Sequence, residues 1–501
     1  MLASALRPLV ADDRFILATR DTGYRGLGAA VAELVDNAVQ ARARHVRIVI
    51  REERLSRPDG DLGERQISIG VLDDGEGMDS NRLWSSLQFG GTDRFNDRSG
   101  LGRFGMGLPN SSVSVTRRLE VYSWLSPGSI YMTHLDIDEV SRQGMRGIPE
   151  PQLGALPPWV LVPIPTSGTF VSWPRCDRLE FRKASTVAEK LRLPLGRMYR
   201  RLIWGGLRLW VNDVEVLPVD PLFCHPRTGK GGASPYGQPL TYEIETPSGG
   251  TPSKVLVRFT RLPIKAWHQL SVQEKQRSGI VGGAGISFVR AGREIDHGWM
   301  LFGMKRKENY DDWWRCEVSF DSKLDECFGV THSKQGVSPT RYLRAILEPD
   351  MEGVARALNA EVRAEFDWIR ARAPSAAVLS ATRQDRLLPS PAGLRSRKAT
   401  DGLSYRIALA PIESRQFFEV ATHAGEVVVT INSDHPFYNQ LYAPSLDGTW
   451  VGRRDALECV LLGAARAYLA LSPGPGQDWA LRYWAAWSDA IAAFTERWRP
   501  S

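Results

Sequence analysis

The stretch on which the reading turns is Glu33-Leu34-Val35-Asp36-Asn37-Ala38. It lies within residues 26–44, where Leu27, Ala30, Val31, Leu34 and Ala38 recur at helical spacing and predict one amphipathic helix. Glu33 and Asn37 are four residues apart and share a face, set opposite that apolar stripe. A carboxylate beside a carboxamide oxygen suits metal-assisted hydrolysis. The amide oxygen is a hard ligand for Mg2+, and the carboxylate can orient and deprotonate a water. Taken alone, the same pair describes a solvated helix face equally well.

Working outward, Val71-Leu72-Asp73-Asp74-Gly75-Glu76-Gly77-Met78 follows a strand-like run at 66–72. The pattern places the Asp73 carboxylate at a pocket rim, where it can accept a hydrogen bond from an exocyclic amine such as adenine N6. Gly75 and Gly77 would let a ligand approach the backbone, or would serve only a tight turn. Next, Gly100-Leu101-Gly102-Arg103-Phe104-Gly105-Met106-Gly107 precedes a predicted helix from Leu108. Glycines so placed expose successive N–H groups, which together with a helix N-terminus cradle phosphate oxygens. Residues 84–109 read as one long polar loop of the kind kept for function. Further strands are expected at 45–50, 119–124, 130–137 and 168–173.

In this order and spacing, the three elements resemble the GHKL superfamily, which includes gyrase, the large heat-shock chaperone, histidine kinases and MutL. The resemblance covers residues 20–175 and includes Gly168-Thr169, a strand position that brings a hydroxyl beside the adenine-binding aspartate. It implies a Bergerat-type ATP-binding α/β sandwich with ATP and Mg2+ as cofactors. Glu33 would be the general base and Asn37 the metal ligand. Asp73, Gly75, Gly77, Met78, Gly102, Arg103, Phe104, Gly105, Met106, Gly107 and Thr169 would contact the nucleotide. Further on, Val330-Thr331-His332-Ser333-Lys334-Gln335 is similar to the segment of MORC ATPases and MutL relatives whose lysine reaches the γ-phosphate. The run 285–290, with Arg293, resembles a strand of that same transducer domain. Lys334 would then stabilise charge on the transferring phosphoryl group. Two positions depart from the pattern. Gln40 stands where many relatives have aspartate, and Asp74, where asparagine is common, is expected to add negative charge near the phosphates.

At 501 residues the chain suits several domains. The reading is an α+β protein with an ATP-binding domain over 1–175 and a mixed α/β transducer-like domain over 176–372. A linker over 373–404 and a small C-terminal α/β domain over 405–501 complete it. No apolar run approaches the roughly 20 residues of a membrane span, and the five scattered cysteines lack metal-ligand spacing. A cytoplasmic protein with reduced thiols is expected. The net charge of +7 permits nucleic acid as a partner without requiring it. The densest basic stretch, from Arg175 to Arg208, reads as a solvated helix face or a phosphate-binding surface. His435 in the tail reads as structural. The resemblance implies a homodimer that closes through its ATP-bound amino-terminal domains, with DNA and a protein client both open as partners. The functional expectation is a slow, Mg-dependent, ATP-hydrolysing conformational switch of MORC/MutL-like type. The alternative is a nucleotide-gated or chaperone-like binding module with little turnover. A histidine kinase is disfavoured because no phosphoacceptor helix is visible ahead of the first motif. Endonuclease chemistry is disfavoured because the tail lacks a metal-binding cluster.

Overall fold

The structure is a computed structural model that describes residues 11–24, 26–56, 62–91, 105–142, 145–161, 163–225, 232–246, 251–301, 306–330, 336–372, 374–389, 402–423, 425–446, 452–471 and 474–495. Two compact units divide the chain at Asn359/Ala360.

In the first unit, α1 (Asp12–Thr22) and α2 (Leu27–Gln40) precede β1 (His45–Ser56) and β2 (Leu62–Asp73). After α3 (Ser80–Ser86) and α4 (Gly107–Val115) come β3 (Arg118–Trp124), β4 (Tyr131–Asp136), α5 (Ile137–Ser141), β5 (Gln152–Leu153) and β6 (Gly168–Cys176). Then follow α6 (Ala184–Met198), α7 (Arg200–Trp204), β7 (Arg208–Val211) and β8 (Val214–Glu215). The strands form one eight-stranded sheet in the order β5-β4-β3-β6-β2-β1-β7-β8. Thus β7 and β8, which lie beyond residue 175, continue the first sheet, with β7 parallel to β1.

Alternation along these strands sets up the two layers. Val46 and Ile48 of β1, Ile69 and Val71 of β2 and Val121 of β3 turn to the helical side, where Val31, Leu34 and Val35 of α2 bury against them. Leu72, Tyr122, Trp124 and Phe170 turn to the other face, with Trp159 packed against them. The sheet is therefore half of an α/β sandwich with α2 as its central helix. That helix ends where Arg42 takes φ 61°. The Ala43 N–H then bonds back to the Ala38 carbonyl at 3.0 Å, a Schellman-type stop.

A second sheet, of five strands, has the order β12-β11-β13-β10-β9. Its strands are β9 (Ser234–Ile244), β10 (Ser253–Arg261), β11 (Ile286–Arg290), β12 (Arg293–Trp299) and β13 (Trp314–Phe320). Two short helices, α8 (Ile264–Trp267) and α9 (Val272–Arg277), lie between β10 and β11. One face of the sheet packs on α10 (Arg341–Arg372) through Leu343, Leu347, Met351, Ala355 and Leu358. The β11–β12 hairpin turns on two residues, Ala291 at φ 45° and Gly292 at φ 87°. Positive φ at both central positions marks the tight turn whose twist matches the flanking strands.

The second unit holds α11 (Ala376–Gln384), β14 (Ser404–Ala410), β15 (Phe418–His423), β16 (Glu426–Asn432), α12 (Arg453–Ala470) and α13 (Pro475–Thr495). The hairpin expected near 417–432 is β15–β16, and β14 adds to β16 in parallel. Residues 376–384, read from the sequence as linker, are helical, and Val378 joins the aromatic core around Phe417, Phe418 and Trp484. His435 is buried, and its Nδ1 accepts from the Phe437 N–H at 3.1 Å, which agrees with a structural role.

Candidate active site

The sequence set Glu33 opposite the apolar stripe of its helix; the structure buries it. Every residue from Ala30 to Asp36 is buried, because α2 lies between the sheet and the surrounding helices α4 and α6. Glu33 is 2% exposed and Asp36 0%. Taking a carboxylate out of water is costly unless it is paired, and cations and donors converge on this pair. The guanidinium of Arg293, at the first residue of β12, contacts Asp36 Oδ2 and lies 3.5 Å from Glu33 Oε1. Tyr199, at the end of α6, brings its hydroxyl to 2.8 Å from Asp36 Oδ1 and 2.6 Å from the Ala32 carbonyl. Burial opposes the charge on Arg293, but Asp36 above all, then Tyr199 and Glu33, hold it above the ordinary guanidinium range. Tyr24 completes the cluster. Burial first, and the charge of Glu33 second, raise its phenol.

The opposite edge of the Glu33 carboxylate faces the start of α4. A Cβ built on Gly107 would come within 2.7 Å of Glu33 Oε2. Glycine at that position therefore makes room for the carboxylate at the helix N-terminus, a reason the motif alone does not reveal. Asn37 is half-buried one turn beyond Glu33, and its carboxamide has no hydrogen-bond partner among the described residues. An unengaged hard oxygen beside a buried carboxylate fits a Mg2+ ligand.

The second end of the site lies where β2 meets β6. Asp73 pairs in register with Thr169. Asp73 is 7% exposed, and its Oδ1 accepts from the Gly75 N–H at 2.9 Å. Burial raises its carboxyl from 3.8 to about 6, against hydrogen bonds from the backbone of Gly75 and Thr169. Beside it, the Thr169 and Ser123 hydroxyls are 3.0 Å apart. Ser123 also accepts from the Met78 N–H at 2.8 Å and donates to the Gly168 carbonyl at 3.1 Å. Thus Asp73, Met78, Ser123 and Thr169 form one hydrogen-bonded cluster. The glycines here answer to packing. Gly77 has φ +71°, and a Cβ on it would come to 2.1 Å from the Trp124 carbonyl; one on Gly75 would come to 2.7 Å from that of Ala41. The Ala41 carbonyl also accepts from the Glu76 N–H at 2.9 Å, so the end of α2 is fastened to this loop.

Three sequence readings change. Asp74 accepts from the N–H groups of Arg44 and His45, each at 2.8 Å, and meets His45 Nδ1 at 2.6 Å, so its charge is engaged at the start of β1. The basic stretch is split. Arg182, Lys183 and Lys190 are exposed, whereas Arg197, Arg200 and Arg201 face carboxylates of the second sheet. Residues 84–86 finish α3 and are not part of a loop. Of the glycine-motif residues, Gly105, Met106 and Gly107 are described; Gly102, Arg103 and Phe104 lie outside the described residues, and so does Lys334. A cavity of about 180 Å³ lined by His45, Arg47, Leu72, Asp73, Asp74, Pro163 and Pro165 opens on the sheet's other face and does not include Glu33. No group of three or more potential metal-binding His, Cys, Asp or Glu side chains occurs among the described residues.

Comparison with known proteins agrees with this geometry. The family described as histidine kinase-, DNA gyrase B- and HSP90-like ATPase matches residues 24–158. That span contains Glu33, Asn37, Asp73 and the glycine motif, and it is a GHKL-type ATPase domain. Protein MICRORCHIDIA 6 of Arabidopsis thaliana is 31% identical over 102 residues, which is 20% of this chain and 14% of that protein's length. Among the described residues, no helix is long and apolar enough to cross a membrane.

Proposed function

We propose that this chain, whose residues 24–158 form a GHKL-type ATPase domain, is a slow Mg2+-dependent ATPase of MORC/MutL-like type. The observation that carries the proposal is that Glu33, midway along α2, faces Gly107 at the start of α4, while the end of α2 is fastened at Ala41 to the loop after Asp73, which pairs with Thr169. In this reading the adenine amine donates to the Asp73 carboxylate, and the Thr169–Ser123 hydroxyls hold the neighbouring edge. The phosphates lie along the glycine backbone leading into α4, where N–H groups and the helix N-terminus favour anions. Gly102, Arg103, Phe104, Gly105 and Met106 belong to that cradle, and Lys334 comes to the γ-phosphate. Asn37 would hold Mg2+, which would supply charge neutralisation at the phosphates. Glu33 takes a proton from the attacking water.

The resemblance further supports closure of two chains on ATP around DNA or a protein. The test is ATP turnover by the purified chain with and without duplex DNA across a salt series. Stimulation that fades as salt rises supports phosphate contacts. Turnover indifferent to DNA at every salt concentration removes DNA from the proposal. Lys334→Ala is expected to keep ADP affinity and lose turnover; unchanged turnover would return Lys334 to an ordinary surface role.

A further inference from the structure

Beyond the ATPase domain itself, the site contains a residue that the sequence places 260 positions from the base. Arg293 begins β12, an edge strand of the second sheet, yet its guanidinium touches Asp36 and stands 3.5 Å from Glu33 Oε1. Three features fix it there. The Ala291-Gly292 turn sets the start of β12 at the hairpin end. The neighbouring Glu294 accepts from Arg197 Nε at 2.5 Å and Arg200 Nη1 at 2.6 Å, which binds β12 to α6 and α7. Arg200 also donates to Glu317 of β13 at 2.6 Å, so two strands of the second sheet are held by one buried arginine. Burial would raise the Glu317 carboxyl, but Arg200, Arg201 and Arg258 pull it down to about 2. Since α6 also packs on α2, the register of the second sheet against α2 sets where Arg293 stands relative to Glu33.

We infer that Arg293 is the positioning residue for the general base, so that the hydrolytic end of the ATP site is completed by the second sheet. Glu33 and Asp36 are three residues apart on one helix face, and two buried carboxylates so placed repel each other. Asp36 is held on one oxygen by Tyr199 and on the other by Arg293. With Asp36 so held, the remaining reach of the guanidinium draws Glu33 Oε1 to its side. Oε2 is left toward the start of α4, where the resemblance sets the phosphates. The arginine acts on the orientation of the base and leaves nucleotide affinity to Asp73 and the glycine backbone. A residue serving only to neutralise buried charge would affect affinity, stability and turnover together.

This inference rests on the ATPase reading, and the experiment separates the two. Arg293→Met alone strands two buried carboxylates and risks unfolding. The decisive variant is therefore Arg293→Met with Asp36→Asn, which removes one charge of each sign and leaves the cluster's net charge unchanged. For the full-length chain we expect wild-type melting, affinity for a non-hydrolysable ATP analogue within about 3-fold of wild type by calorimetry, and kcat lower by about 10- to 100-fold, the scale of a misplaced catalytic group. Arg293→Lys, which keeps the charge and loses the planar fork, should recover part of that kcat with unchanged analogue affinity. Wild-type kcat in the double variant, or an analogue affinity that falls in step with kcat, overturns the positioning role and leaves the ATPase reading standing. Absence of Glu33-dependent hydrolysis in the wild-type chain overturns both.

Discussion

The two ends of the candidate site are built in opposite ways. The Asp73 end is made by neighbours: β2, β3 and β6 lie side by side in one sheet, and strand register brings Asp73, Ser123 and Thr169 together. Hydroxyls and backbone N–H groups supply its hydrogen bonds. The Glu33 end is made by distant parts of the chain, with α2, the end of α6 and β12 contributing Glu33, Asp36, Tyr199 and Arg293. Charges dominate there. In the proposed reading, recognition of the adenine rests on one sheet, while hydrolysis depends on how a second sheet is seated. An arrangement of that kind lets a nucleotide bind before the chemistry is assembled.

The largest expected effect lies at the charged end. Glu33→Ala should lose roughly 10²–10⁴-fold in turnover while binding ATP nearly as wild type, because a positioned general base contributes about that much. Gly107→Ala comes next. The added methyl meets Glu33 Oε2 at 2.7 Å, and displacing the base should lower kcat by up to about 10²-fold with a smaller change in affinity. If Gly107→Ala instead abolishes binding and spares single-turnover hydrolysis of bound ATP, the base does not sit where the comparison needs it.

At the other end the effects should fall on affinity. Asp73→Asn replaces a charged acceptor and should weaken ATP binding by roughly 10- to 100-fold, the scale of a hydrogen bond to a charged group. The same substitution should stabilise the free protein at neutral pH. The Asp73 carboxyl is raised from 3.8 to about 6 in the fold, so the unfolded chain ionises first as pH rises. Native stability is therefore lost between about pH 4 and 6 and stays lower above that window. Melting of wild type and Asp73→Asn across pH should diverge through this interval, and the affinity difference between them should shrink progressively as pH falls below about 6. Parallel melting curves would contradict the burial that sets this end apart. The smallest effect belongs to Thr169→Val. It removes one hydroxyl while Ser123 keeps Met78 and Gly168, so a loss of less than about 10-fold in affinity, measured by calorimetry, is expected.

This contrast also explains what could be read from the sequence. Asp73 and Thr169 sit in strands with clear alternation, the two glycines follow in the loop after β2, and Glu33 with Asn37 sits in a helix whose period is plain. The order and spacing of these motifs, matched to a family resemblance, brought them together. Tyr199 gave no such sign, and Arg293 only a likeness to a transducer strand with nothing to set it beside Glu33, because the contacts that define them span 163 and 257 residues. The same limit governed the basic stretch of α6 and α7. Its arginines look solvated until Glu294 and Glu317, about a hundred residues later, arrive as partners. One clue was local: Asp36 follows Leu34-Val35 and precedes Ala38 in a helix that must bury that side, and a carboxylate so placed requires a cation from elsewhere. The glycines carried a different ambiguity. A motif that exposes backbone to a phosphate is written with the same residue that avoids a carbonyl, and only coordinates distinguish Gly77 against Trp124 from Gly107 against Glu33.

The central claim, that affinity is set at the sheet and turnover at the charged cluster, is tested most directly by measuring ATP affinity and single-turnover hydrolysis in Asp73→Asn and Glu33→Ala side by side. The account predicts that the losses separate: Asp73→Asn binds weakly but hydrolyses what it binds, and Glu33→Ala binds normally but does not hydrolyse. Equal losses of both quantities in both variants, or wild-type hydrolysis in Glu33→Ala, would contradict it.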